Sequence, residues 1–363
     1  MLNFSFSDTV YRRFIEILCA RLSKGCLVVI DIDNLSRMVV DVLAHIFGYK
    51  VYWVIQEIPK DFLQNPKKYT NPDYPVKSKQ ELIKDVQNYY NTLNGDCEPK
   101  NVITKFSDIQ KAWNKDLVKY NTRRLKTDAK ILHISDTHSN VNLVKDLPFD
   151  KMDLCIFYGD YVDGPVNGGS REMLDFALHN TNDNFIWLEG NHELRIRKYL
   201  GAKYLRRIKK DYLADLLVST IPEDFFTRTA KEFEDLDSNE AWEYLDLMNR
   251  KLKLLYIVSI KGSKFYCSHS GFRFIEQLDL KFIGTVVYGS RNIEKIDRIF
   301  SKNVDNKKSI WSIHAHCKYQ DQEINKYTNV FNIDPPNENS IILLKQQFNN
   351  WEAILLCQEE ESI

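Results

Sequence analysis

The first third of the chain alternates between helix-like and strand-like patterns of apolar residues. Apolar side chains recur every three or four positions, the spacing of amphipathic helices, at residues 8–24, 36–47, 78–93 and 107–123. Shorter apolar runs, typical of buried strands, lie at residues 26–33, 51–55 and 102–106. Strands that alternate with helices favour an α/β unit with mainly parallel pairing.

The second part of the chain carries further strand-like runs, and polar segments follow them. The apolar runs lie at residues 129–134, 152–158, 185–188, 264–267 and 309–313. A polar, charged segment at residues 123–128 precedes the first of these runs. We therefore place a domain boundary there, with an N-terminal α/β domain of unknown role at residues 1–127 and a second domain at residues 128–363.

Composition excludes several classes of protein. The chain has 363 residues, of which 44% are apolar and 28% charged, as in globular proteins. Because 50 Lys and Arg offset 50 Asp and Glu, no overall charge attracts nucleic acid or a membrane, and any polyanion site must be local. Seven scattered cysteines without a Cys-x-x-Cys pair indicate reduced thiols. With no signal-like or membrane-length apolar segment, we expect a soluble, cytoplasmic protein.

Chemically useful side chains follow three consecutive apolar runs. They are Asp136 and His138 after the first run, Asp160 and Asp163 after the second, and Asn191 and His192 after the third. Open α/β sheets place ligand sites at the carboxyl ends of their strands. Carboxylate, amide and imidazole groups at one sheet edge predict a site for a divalent cation.

Histidines follow the last two apolar runs as well. His269 comes after residues 264–267, while His314 and His316 come after residues 309–313. Alternate residues of an extended chain face the same side, so both of the last two rings can reach one cluster. Five of the eight histidines thus follow apolar strands. We predict structural roles for the remaining three, His45, His133 and His179.

The ordered set of motifs resembles the calcineurin-like metallophosphoesterases, most closely their phosphoprotein-phosphatase-like branch. The matching segments are residues 136–138, 159–163, 190–193, 267–271 and 314–316. The resemblance covers roughly residues 129–347 and implies a β-sandwich of two sheets flanked by helices. Residues 329–334, followed by 341–344, resemble the closing hairpin of the family.

The resemblance implies a centre of two divalent metal ions. Asp160 would bridge the ions, one of them held by Asp136, His138 and His316 and the other by Asn191, His269 and His314. Two such ions can share a hydroxide, lower its pKa toward about 7 and neutralise charge on a phosphoryl group. The ligand types suit manganese, iron or zinc, and we favour manganese.

Three further residues receive roles from the resemblance. His192 would protonate the leaving group as a general acid, and Asp163 would fix its tautomer. Arg291 lies where the branch supplies an arginine that binds phosphate oxygens, and it could form a forked contact.

Two positions depart from the branch. Gly164 and Glu189 stand where its members carry arginines, so one phosphate clamp is missing. Arg195 and Arg197 follow the Gly-Asn-His-Glu motif and could replace it. The altered clamp weakens the case for a phosphoprotein substrate but leaves the metal ligands intact.

The sequence therefore predicts a phosphoesterase that hydrolyses phosphomonoesters by attack of a metal-bridging hydroxide. Its substrate would be a phosphorylated small molecule, nucleotide or protein. The alternative is a phosphodiesterase or nuclease, favoured by the basic segment at residues 195–210, which could bind nucleic acid. A third hypothesis is a non-catalytic scaffold whose N-terminal domain binds a partner. We expect no membrane partner.

Overall fold

The structure is a computed structural model of the chain. It describes residues 8–22, 34–49, 51, 53–54, 80, 102–103, 122–164, 168–271, 292–304, 309–317, 319, 321, 323–337, 340–347 and 350–357. The predicted strand at residues 26–33 and most of the two predicted helices at 78–93 and 107–123 lie outside these residues. Within them, two mixed sheets are flanked by helices.

The first sheet has six strands in the order β13-β12-β4-β5-β6-β7. Its strands are β4 (Lys130–Ile134), β5 (Leu154–Phe157), β6 (Phe185–Leu188), β7 (Leu252–Lys253), β12 (Ser340–Gln347) and β13 (Asn350–Cys357). Strands β4 to β7 pair in parallel, whereas β12 is antiparallel to both β4 and β13. The carboxyl ends of β4, β5 and β6 therefore lie side by side at one edge.

The second sheet has five strands in the order β11-β10-β9-β8-β3. They are β3 (Thr122–Leu125), β8 (Tyr256–Ile260), β9 (Ser263–Cys267), β10 (Ile310–His314) and β11 (Val330–Asn332). Strands β9 and β10 pair in parallel, which brings the segments after Cys267 and after His314 together. Two short strands, β1 (Trp53–Val54) and β2 (Val102–Ile103), form a separate parallel pair, as expected for an α/β unit.

The helices of the described part flank the sheets or pack on other helices. They are α1 (Asp8–Leu22), α2 (Asn34–Ile46), α3 (Val141–Lys145), α4 (Ser170–His179), α5 (Asn191–Arg207), α6 (Asp211–Val218), α7 (Glu223–Thr227), α8 (Ser238–Lys251) and α9 (Ile293–Val304). Two 3₁₀ turns occur as well: Phe149–Lys151 lies between α3 and β5, and Ala230–Phe233 lies between α7 and α8. None of the helices in these ranges has both the length and the apolar character that crossing a bilayer requires.

The pleat of the strands separates two main apolar cores. Ile131 and Ile156 of the first sheet face Phe265 and Ile313 of the second, so this core fills the space between the sheets. The intervening residues, such as Leu132, point outward and pack against the helices. A buried apolar face on each side explains why β4, β5 and β6 consist of nearly continuous apolar residues.

The first two helices pack against helices of the second half of the chain. Helix α1 contacts α6, and α2 contacts α5 and α8. Buried apolar side chains of α1 and α2 belong to the same core as those helices; they include Ile15, Leu18, Leu22, Leu43 and Ile46. The division of the chain at residue 127 stays a prediction, but these two helices are not separate from the phosphoesterase-like part.

One local prediction is wrong, and the segment at the predicted domain boundary begins inside a strand. Residues 122–125 form β3, which pairs in parallel with β8 at the edge of the second sheet and overlaps the start of the polar segment at residues 123–128. Residues 329–334 and 341–344 do not form a hairpin with each other, since β11 joins β10 in the second sheet and β12 joins β4 in the first. The hairpin at the end of the chain is instead formed by β12 and β13.

Candidate metal centre

The predicted motifs lie in loops that hydrogen bonds tie together. The backbone N–H of His138 donates to the carbonyl of Asp160 at 2.8 Å, and that of Ala315 donates to the carbonyl of His269 at 2.8 Å. Between the two sheets, the N–H of His316 donates to Asp136 Oδ2 at 3.3 Å. Loops from both sheets therefore meet at one place.

Backbone strain is concentrated in these loops. Four predicted site residues have positive φ angles, namely His138 at 42°, Asp160 at 47°, Asp163 at 66° and His316 at 75°. Residues with side chains rarely adopt this left-handed region, and each such conformation costs on the order of 1–3 kcal/mol. The surrounding hydrogen bonds hold these conformations, and the side chains consequently converge.

The carboxylate of Asp160 lies at the centre of the site. It belongs to two groups of potential ligands, one with His138 and His192 and one with His269 and His316. Within each group the ligand atoms all lie within 4.8 Å of one another. Asp160 is therefore shared by both groups of potential ligands.

Potential ligand atoms converge on the Nε2 atom of His269. His269 Nδ1 lies 2.6 Å from the carbonyl oxygen of Tyr158, which can only accept, so Nδ1 carries a hydrogen. His269 Nε2 faces Asn191 Oδ1 at 3.0 Å, His316 Nδ1 at 3.1 Å and Asp160 Oδ2 at 3.5 Å. Four atoms with metal-ligand chemistry therefore surround one small volume.

The electrostatics of this volume favour a cation. Burial alone would lower the pKa of His269, but Asp160 and Asp136 outweigh it and raise that pKa to about 10. Burial and the neighbouring His269 lower the pKa of His316 to about 4, which leaves this ring neutral. Burial opposes ionisation of Asp160, yet His192 and His269 hold its pKa below the usual range. A divalent ion can replace the proton of His269, so the residues fit a metal.

The ligand grouping differs from the one predicted in two respects. His316 lies with His269 and Asn191, whereas the resemblance implied that it shares an ion with Asp136 and His138. His314, expected as a ligand, lies outside both groups. Its Nε2 is 3.0 Å from Asp297 Oδ1 on α9, and Nδ1 is 3.2 Å from the carbonyl oxygen of Ala315. Both ring nitrogens of His314 therefore have acceptors.

Asp136 lies between the two sheets at the margin of the centre. Its carboxylate is buried, and Oδ1 is 3.5 Å from His269 Nδ1. This oxygen accepts no hydrogen bond from the described residues. A buried carboxylate oxygen with unused acceptor capacity is what a metal ligand requires.

His192 and Asp163 lie together, as the resemblance implied. His192 Nδ1 is 3.3 Å from Asp163 Oδ2, and His192 Nε2 is 3.7 Å from Asp160 Oδ2. The first pair is within ion-pair distance but is not aligned as a hydrogen bond. Asp163 also contacts the guanidinium of Arg195 and accepts a hydrogen bond from Thr229.

Arg197 and Arg291, also considered as phosphate ligands from the sequence, are not part of the described site. Arg197 is only 1% exposed, and its guanidinium binds both carboxylate oxygens of Glu189, at 2.5 and 3.0 Å. It also donates to Asn249, so Arg197 stabilises the fold and does not replace the phosphate clamp. Arg291 lies outside the described residues. Of the arginines considered, Arg195 is the one that the structure places beside the site.

Glu193 has a role that the sequence did not reveal. Its buried carboxylate accepts hydrogen bonds from the backbone N–H groups of Asp160, Tyr161 and Gly190, at 2.8–2.9 Å. The side chain thus joins the loop after β5 to the loop after β6. A glutamate three residues after a helix N-cap is the capping-box signal, which could have identified the contact to Gly190.

Strand-end loops that present Asp, Asn and His around a shared carboxylate define a metal-dependent hydrolytic site. The calcineurin-like phosphoesterase family matches the chain over residues 129–335, and the chain belongs to this family. No curated protein matches it.

Eighteen chains of known structure match this chain. One is described as a "putative diadenosine tetraphosphatase" and is 16% identical. The match covers 65% of this chain and 97% of that chain, with a TM-score of 0.37. At this score the neighbour carries no weight for the activity.

Proposed function

We propose that the protein hydrolyses phosphomonoesters with two divalent metal ions. The observation that carries the proposal is the position of Asp160, whose carboxylate is shared by two groups of potential ligands. Membership in the calcineurin-like phosphoesterases supports metal-dependent phosphoester chemistry. The preference for monoesters comes from the resemblance of the motifs to the phosphatase branch.

The observed contacts and the resemblance together suggest which residues would hold the two ions. Asp160, Asn191, His269 and His316 would hold one ion. His138 and Asp160 would hold the other, with Asp136 added because the resemblance implies it. Such ions supply a nucleophile at neutral pH by lowering the pKa of water, and they neutralise phosphoryl charge. The ligand types suit manganese, iron or zinc, and manganese is our first choice.

His192 is the proposed general acid. Its side chain is 16% exposed, so one edge of the ring is accessible to a substrate, while Nδ1 lies 3.3 Å from Asp163. A carboxylate beside Nδ1 orients the ring. His192 Nε2 would then give its proton to the alkoxide that leaves phosphorus.

The nucleic-acid alternative is weakened by the contacts of the basic segment. Arg197 is buried against Glu189, and Lys203 Nζ donates to the backbone carbonyls of Phe233, Glu234 and Leu236. These two cations stabilise the fold and offer little charge to a nucleic-acid backbone. A phosphomonoester therefore remains our preferred substrate.

The substrate class is tested with two chromogenic esters. We expect the protein with added manganese to hydrolyse p-nitrophenyl phosphate with a higher kcat/KM than bis(p-nitrophenyl) phosphate. A strong preference for the bis-ester would overturn the monoesterase proposal in favour of a phosphodiesterase. If neither ester is hydrolysed with manganese, iron or zinc, the result would favour a non-catalytic scaffold over an enzyme.

A further inference from the structure

Two arginines lie beside the turn formed by Asp163 and Gly164. Arg195 follows His192 by one helical turn on α5, which puts both side chains on the same helix face. Its guanidinium contacts Asp163. Arg228 comes from the segment after α7, and its Nη1 donates to the carbonyl of Gly164 at 3.3 Å. The side chains are 25% and 29% exposed, so both are accessible to a ligand.

The position of Arg228 is fixed by its neighbour in the chain. The hydroxyl of Thr229 is buried and donates to Asp163 Oδ1 at 3.1 Å. This bond holds the segment that carries Arg228 against the turn. Arg228 also forms an ion pair with Asp224, at 2.6 Å. Because the side chain of Asp224 is 53% exposed, this pair is weak, and a phosphate dianion can compete for the guanidinium.

No side chain fits at Gly164, so an arginine beside this turn has to come from a different element. A Cβ atom at this position would lie 1.9 Å from the carbonyl oxygen of His138, so no side chain can be accommodated there. At Gly164 the turn therefore presents only backbone atoms. Arg228 brings a guanidinium to the same place from across the fold.

The contacts form a continuous path away from the metal centre. His192 lies against Asp163, Asp163 contacts Arg195, and the adjoining Gly164 contacts Arg228. These contacts place both guanidinium groups beside the turn of Asp163 and Gly164, next to His192. Guanidinium groups bind phosphoryl oxygens through forked, charge-assisted hydrogen bonds.

We propose that Arg195 and Arg228 form a second phosphoryl subsite, and that the same centre that hydrolyses phosphomonoesters also removes the terminal phosphoryl group of polyphosphates, in which phosphoryl groups are joined through bridging oxygens. This inference rests on the proposed function. In the reaction, the oxygen of water forms a bond to the terminal phosphorus, and the bond from that phosphorus to the bridging oxygen breaks. The electron pair of the broken bond remains on the shortened polyphosphate, and the proton of the attacking water is released.

The test compares inorganic tripolyphosphate with p-nitrophenyl phosphate, which has only one phosphoryl group. For Arg228→Ala we expect kcat/KM for tripolyphosphate to fall about tenfold, and to fall at least about fivefold more than kcat/KM for p-nitrophenyl phosphate. Arg250→Ala is the matched control, since Arg250 also pairs with an aspartate four residues earlier but lies on α8. It should change neither value.

Binding separates failure of the subsite from failure of the proposed function. Tripolyphosphate should bind the metal-free protein by calorimetry, and Arg228→Ala should weaken that binding about tenfold. Equal effects of Arg228→Ala on both substrates, or unchanged tripolyphosphate binding, would overturn the subsite while leaving the phosphoesterase in place. If binding depends on Arg228 but no phosphoester is hydrolysed with any metal, the subsite stands and the proposed function fails.

Discussion

At the scale of single residues, Glu193 shows how one side chain can fix two loops. It accepts three backbone N–H groups that no helix or strand of the described part uses. Burial and the nearby Asp160 raise the pKa of Glu193 to about 7, while the N–H groups of Gly190 and Tyr161 favour the charged form. The positions of Asp160 and Asn191 therefore depend on this carboxylate.

Glu193→Gln should destabilise the protein and weaken metal binding. A glutamine turns an amide NH₂ group toward donors, so at least one buried N–H group loses its acceptor, at a cost of about 1–3 kcal/mol. Urea unfolding and metal analysis measure the two effects. Glu240→Gln is the matched control, since Glu240 occupies the same capping-box position on α8, away from the metal centre. Equal behaviour of the two variants would contradict the role given to Glu193.

The buried ring of His133 should make the folded protein less stable in acid. Its ring is buried, with Nδ1 3.0 Å from the hydroxyl of Tyr158 and Nε2 2.9 Å from Gln346 Oε1. Burial lowers its pKa from 6.5 to about 4. The unfolded chain therefore binds a proton here as the pH falls below about 6.5, whereas the native protein binds it only near pH 4.

The free energy of unfolding should consequently decrease by up to about 3 kcal/mol from this residue as the pH falls from 6.5 to 4. In His133→Asn the residue cannot be protonated, so the stability of this variant should depend less steeply on pH over the same range. Urea unfolding at several pH values measures both slopes. Identical slopes would show that His133 is not held in its neutral form.

At the scale of elements, the site depends on close approach of two loops at glycines. Gly159 has a φ angle of 95°, and a Cβ atom there would lie 2.6 Å from the backbone nitrogen of Gly190. A Cβ atom on Gly190 would lie 2.2 Å from Asp160 Oδ1. The strands β5 and β6 place these loops side by side, and the absence of side chains lets Asp160 reach the centre.

Gly190→Ala should displace Asp160 and lower both metal content and hydrolysis by at least about tenfold. Gly262→Ala serves as the control. Gly262 lies in the turn between β8 and β9 with a φ angle of 87°, and a Cβ atom there meets nothing within 4 Å. The control should lose some stability from backbone strain but keep its metal. Normal metal binding by Gly190→Ala would refute the close-packing argument.

The sequence predicted elements well where burial imposes a regular pattern. The strands around β4, β5 and β6 were expected because apolar residues occupy both faces. Strand β3 was not predicted, because it is a short edge strand whose two arginines, Arg123 and Arg124, interrupt any apolar pattern. The closing hairpin was misplaced because apolar patterns predict a strand but not its partner.

The same reasoning applies to the site. The order of the motifs identified the loops, since each motif directly follows an apolar strand. It could not show that His314 binds Asp297, or that Arg197 binds Glu189, because the first pair depends on how α9 packs and both depend on side-chain geometry. The exclusion of a side chain at Gly164 likewise depends on the path of another loop.

At the scale of the whole molecule, the N-terminal helices complete the core of the phosphoesterase part. Ile46 of α2 lies within 2.7 Å of the position that a Cβ atom on Gly201 of α5 would take. Asn249 of α8 donates to the carbonyl of His45 and accepts from Arg197, which links α2 to the element that carries the metal-centre motif. The two parts of the chain therefore share one packed interface.

A truncated protein of residues 128–363 should lose cooperative unfolding or aggregate. Removing α1 and α2 exposes the apolar surface of α5, α6 and α8 that they cover, and removing β3 exposes an edge of the second sheet. Gel filtration and thermal unfolding against the full chain measure the effect. A monomeric truncated protein with an unchanged Tm would show that the boundary at residue 127 separates independent domains.

The most direct test of the account is Asp160→Asn, a nearly isosteric change at the carboxylate shared by both ligand groups. With manganese, the unchanged protein should bind two ions per chain and hydrolyse p-nitrophenyl phosphate. Asp160→Asn should bind fewer ions and lose at least about 100-fold in kcat/KM, while the surface control Asp246→Asn retains both properties. Unchanged metal content and unchanged hydrolysis in Asp160→Asn would contradict the proposed two-metal centre.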